Sequence, residues 1–76
     1  MTNTSDLLVG KLYQVEDRWF PMFDNATAAR RRIGDIFKTE LFVLLEFGPE
    51  YWIKILSSTG SVGWVYIWNG RLRQTS

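Results

Sequence analysis

A chain of 76 residues with neither cysteine nor histidine is long enough for one domain, and it offers no thiolate nucleophile, disulfide, imidazole base or Cys/His metal site. Its formal net charge of +1 supplies no bulk attraction for nucleic acid or an anionic membrane. Folding at this length hides only about 60% of the unfolded chain's surface, so large side chains must do much of the burying, and aromatic residues make up 16% of the chain with tryptophan at four positions.

Residues 1–6 are small and polar and read as a disordered lead-in. They lack the basic start and apolar stretch of a signal peptide, and no apolar run approaches the roughly 20 residues of a membrane helix. A soluble cytoplasmic protein without a membrane partner is therefore expected. Residues 9–15 fit a strand with apolar side chains on both faces. Residues 16–34 are the least regular part and suit a long loop or irregular hairpin, in which Trp19, Phe20 and Phe23 flank Pro21 and hold the loop down. Within it, residues 26–32 have helix propensity for one or two turns at most, capped by Asn25 or Thr27. Arg30-Arg31-Arg32 reads as a solvated loop tip, with a phosphate or carboxylate clamp as its alternative anion-binding role. Gly34-Asp35 is expected to be a turn.

Three consecutive strands follow. Leu41, Val43, Leu45 and Phe47 alternate with Phe42, Leu44 and Glu46, so this strand is apolar on one face throughout and on most of the other. Gly48-Pro49-Glu50 ends it. The β-branched Ile53 and Ile55 mark the core face of the next strand and leave Trp52 on the outer face. Residues 57–61 form a turn by composition. In the third strand, residues 62–67, Gly63 marks a bulge or a close backbone approach and Trp64 is expected in the core. Asn69-Gly70 is a turn signal, and residues 71–73 supply a short closing strand. The reading is an all-β fold: a lead-in (1–6), one barrel of about five antiparallel strands with a long irregular first loop (7–73), and a polar tail (74–76).

The motifs Ile33-Gly34-Asp35, Trp52-Ile53-Lys54-Ile55 and Gly60-x-x-Gly63-Trp64-Val65 resemble, in order and spacing, those of the Src homology 3 (SH3) barrel, especially its bacterial form. The resemblance implies an SH3-like barrel that binds an extended partner segment in a groove beside its first long loop. It places Trp52 as the groove aromatic, with acidic loop residues to be sought among Glu16, Asp17 and Asp24. This chain has Tyr66, Ile67 and Trp68 after its Gly-aromatic strand and no proline. Its first strand keeps only Leu12-Tyr13 of the family's run. The groove therefore carries over without the residues that read PxxP ligands.

The expected function is a noncatalytic interaction module binding a peptide segment or protein partner through Trp52, Tyr66, Trp68 and Tyr13 together with Glu16 and Asp17. No activated nucleophile or acid/base pair can be assembled from the residue types present, so no enzyme, cofactor or metal is expected. Two alternatives compete. One is a structural subunit of a phage or bacterial assembly, a homo-oligomer or virion component whose aromatics form a permanent interface. The other is a small nucleic-acid-binding barrel, which requires Arg30, Arg31, Arg32, Lys11, Arg71 and Arg73 to converge beside an aromatic platform.

Overall fold

The computed structural model describes residues 7–16, 19–68 and 72–75, and no helix occurs among them. Among the described residues there are seven strands: β1 (Leu12–Val15), β2 (Phe20–Phe23), β3 (Arg32–Ile36), β4 (Leu41–Phe47), β5 (Trp52–Ser57), β6 (Val62–Tyr66) and β7 (Leu72–Gln74). All pair antiparallel in one sheet of order β3-β2-β6-β5-β4-β1-β7. Seven strands thus replace the expected five or so. The sheet is open, ending at β3 and β7, with no closing pair among the described residues where a closed barrel was expected.

The additional strands come from the segment read as a long loop. Phe20 and Met22 are buried while Pro21 and Phe23 lie on the opposite, half-buried side, which is a strand alternation. The proline is tolerated because β2 pairs β6 only at Met22 and Phe23, so Pro21 lies outside that ladder. Gly34 and Asp35 are not in a turn; they sit in β3 opposite Met22 and Pro21. The chain reverses instead over residues 24–31. There the Asp24 amide donates to the Arg31 carbonyl at 2.9 Å and the Asp24 carboxylate accepts the Arg31 amide at 2.8 Å. Asn25 Oδ1 accepts the Thr27 amide at 2.9 Å, and Thr27 Oγ1 accepts that of Ala29 at 3.3 Å. These local side-chain bonds offer the backbone a turn in place of the expected helical one.

Ile53 and Ile55 are fully buried, as their β-branched parity indicates, and pair across to Val65 and Gly63. On β4 the core face is carried by Phe42 and Leu44. A register shift between Leu44 and Glu46 interrupts the alternation, and Leu41 and Phe47 are exposed. Trp64 is not in the core. Val65 and Ile67 are buried with Gly63, which puts the half-buried indole on the outer face beside Lys54 and Phe23. Met22 explains this arrangement: a Cβ at position 63 would lie 2.3 Å from its Cγ and 2.8 Å from its Sδ, so the core side of β6 has room only for glycine here. Leu7 completes the core beside β1.

The Gly48-Pro49-Glu50 turn is as expected, with Glu50 at φ 52° and the Trp52 amide donating to the Pro49 carbonyl at 3.0 Å. Gly60 has φ 88° in the 57–61 turn, where the Ser57 amide donates to the Ser61 carbonyl at 2.8 Å. β7 takes Gln74 out of the expected tail, and Thr75 donates its amide to the Leu12 carbonyl at 2.8 Å. The lead-in (1–6), Asp17, Asn69, Gly70 and Arg71 lie outside the described residues.

Candidate aromatic groove

Alternation on three neighbouring strands brings aromatic rings to one outer face. Trp52 and Tyr66 are cross-strand partners on β5 and β6, with ring centroids 5.1 Å apart in edge contact. Phe23, at the end of β2, also meets Trp52 edge-on at 5.7 Å. Trp68 follows β6 and packs on Tyr51 at 4.8 Å, and Tyr51 in turn meets Tyr66 at 6.0 Å. Such tilted and edge geometries are those that the aromatic quadrupole favours.

These rings line a groove of about 430 Å³ formed by Trp19, Phe20, Pro21, Phe23, Arg30, Trp52, Tyr66 and Trp68. Trp19 and Trp68 form its open walls, 50% and 48% exposed. Trp52 forms the floor: it lies on the outer face, as its parity requires, yet is only 8% exposed because its neighbours cover it. The Arg30 guanidinium stands 5.1 Å from the ring centres of both Phe23 and Trp52, a cation–π position. The Tyr66 hydroxyl donates to Glu50 Oε2 at 3.2 Å. Its pKa is raised above the usual tyrosine value, first by desolvation and then by this hydrogen bond and the Glu50 charge.

The structure gathers Trp52, Tyr66 and Trp68 and separates them from the other expected site residues. Tyr13 is 2% exposed in the core, and its hydroxyl accepts the Leu8 amide at 2.7 Å, so it presents no groove surface. Its strand turns this position inward between Leu12 and Gln14. Glu16 lines a different, more polar cleft of about 300 Å³ with Gln14, Val15, Thr39 and Arg73. Asp24 is occupied by the hairpin backbone, and Asp17 lies outside the described residues.

The three arginines do not act as one clamp. Arg30 enters the groove. Arg31 is exposed at the hairpin end, its amide held by Asp24. Arg32 pairs with Asp35 and stacks on Trp19 at 5.2 Å. Lys11 and Arg73 belong to the β1–β7 end of the sheet order.

Sequence reasoning missed Trp19, Pro21 and Phe23 as groove residues. Their shared odd parity around the buried Phe20 and Met22 is the signal that identifies them. Fold and site together define a small all-β protein whose single antiparallel sheet carries an aromatic groove on its outer face. No protein-family model, curated protein or solved structure matches the chain.

Proposed function

We propose that this chain is a noncatalytic interaction module, SH3-like in type, that binds an extended peptide segment of a protein partner in the aromatic groove. The observation that carries the reading is the Trp52–Tyr66–Phe23 floor walled by the exposed Trp19 and Trp68. An open concave surface of rigid aromatic rings suits apolar side chains, and exposed tryptophans at interfaces are frequent binding hot spots. The SH3-like assignment is supported by the outward parity of Trp52 after the Gly48-Pro49-Glu50 turn and by the close approach at Gly63. The dispersal of the arginines favours a peptide over a nucleic-acid ligand, whose polyanionic backbone is held by converging cations.

The test is to isolate peptides or partners that bind the full chain and to compare their affinities for the parent, Trp52→Ala and Trp68→Ala proteins. Losses of about tenfold or more are expected, as for truncated interface tryptophans. Affinities unchanged by both substitutions remove the groove from consideration.

A further inference from the structure

The polarity of the groove indicates which segments it takes. Among the described residues its one charged lining residue is Arg30. Nη1 of Arg30 donates to the Thr27 carbonyl at 3.2 Å, and the guanidinium lies over the Phe23 and Trp52 rings. The ion pairs among the described residues are Arg32–Asp35 and Lys54–Glu46, so none of the described carboxylates is ion-paired with Arg30. Among the described residues, Asp24 holds the Arg31 amide, Asp35 pairs with Arg32, and Glu50 accepts the Tyr66 hydroxyl from outside the groove lining. A guanidinium has five donors in a planar fork, of which the Thr27 carbonyl takes one, so donors remain for a carboxylate.

Resting on the groove reading, we infer that the bound segment carries an acidic side chain, whose carboxylate meets Arg30 while neighbouring apolar residues pack on Trp52, Trp19 and Trp68. The acidic loop residues sought beside the groove would select a basic ligand; the cation found there selects the opposite charge. Arg30 is thus the specificity-determining residue.

The experiment selects random twelve-residue peptides displayed on phage against the immobilised full chain. The strongest selected peptide is then synthesised as found, with its Asp or Glu replaced by Asn or Gln, and with that residue replaced by Lys. Selected sequences rich in Asp and Glu are expected. The amide form should bind about tenfold or more weakly, since its neutral oxygen replaces the charge-assisted, bidentate acceptance of a carboxylate. Arg30→Glu should weaken the acidic peptide by at least as much and strengthen the Lys form; because the guanidinium packs on Phe23 and Trp52, the comparison is made below the urea midpoint of both proteins, where each is folded.

Equal affinity of acidic and amide forms, or a preference for the Lys form, overturns the inference. If those affinities still fall on Trp68→Ala, whose ring is 48% exposed in the parent, the groove reading stands without it. If Trp68→Ala changes none of them, or no peptide is selected, both fall.

Discussion

Trp52 and Tyr66 face each other across β5 and β6 with their ring planes at 66°, and this pairing converts an outward-pointing indole into a nearly buried one. The outward parity alone would make Trp52→Ala cheap, at about 1 kcal/mol or less, and a core Trp64 would make Trp64→Ala cost about 3–5 kcal/mol. The structure reverses the order. Trp52→Ala is expected to cost about 2–4 kcal/mol, because it empties a site enclosed by Phe23, Tyr66 and Arg30. Trp64→Ala removes a half-buried ring from the outer face and should cost about 1–2 kcal/mol. Urea titration of both variants checks the ranking, and a larger loss at Trp64 would contradict it.

Gly63→Ala places a Cβ within 3.1 Å of the Phe23 carbonyl oxygen as well as against Met22. Backbone cannot retreat easily, so a loss of about 1–3 kcal/mol is expected. In a Met22→Ala background the clash with the thioether disappears, and the further cost of Gly63→Ala should fall below its value in the parent. Strict additivity in this double-mutant cycle would mean that Met22 is not what confines position 63.

Two other glycines should respond in opposite ways. Gly60 has φ 88° with open space around it, so Gly60→Ala is strained by its backbone alone and should cost about 1 kcal/mol. Gly34 lies in β3, where an added Cβ would make an ordinary 3.5 Å contact with Met22 Cε. Gly34→Ala should be neutral or stabilising by a few tenths of a kcal/mol, because it restricts the unfolded chain. Thermal melts of the pair decide this, and a destabilised Gly34→Ala would show that β3 needs glycine for another reason.

Desolvation of the Tyr66 phenol, followed by its hydrogen bond to Glu50, gives stability an alkaline limb. The Tyr66 pKa is raised on folding from the ordinary 10.0. The folded state therefore holds this proton more tightly than the unfolded one. The corresponding stabilisation is complete below pH 10.0 and is lost as pH rises through the folded value. Tyr66→Phe, which has no proton to lose, should show a shallower decline above that pH. Parallel slopes for the parent and Tyr66→Phe in denaturant titrations would mean that the phenol does not contribute.

The meander of β4, β5 and β6 was legible because its signals are local: β-branched residues at 53 and 55, a proline turn, and a Ser/Gly turn. The outward parity of Trp52 followed from the same pattern. Its low exposure did not, because Phe23 and Arg30 come from a hairpin distant in sequence. Trp64 was misplaced since hydrophobicity alone favours an interior indole, whereas the room available on β6 is set by Met22 across the sheet. Tyr13 has the polar hydroxyl of a binding residue, but the Leu8 amide satisfies it internally. The β2–β3 hairpin was obscured by Pro21 and Gly34, which break strand propensity without breaking the pairing.

The pairing of β1 with both β4 and β7 also dictates an order of assembly during synthesis. The β4–β5–β6 meander needs only residues 41–66 and can form as soon as they leave the ribosome. β1 is made first among the strands yet gains its second neighbour last, because residues 72–74 are made after all the other strands. In that interval β1 is a bare edge carrying unpaired backbone groups, open to pairing with another nascent chain. Translation that stalls before β7 therefore releases a chain with a complete groove and an adhesive flank.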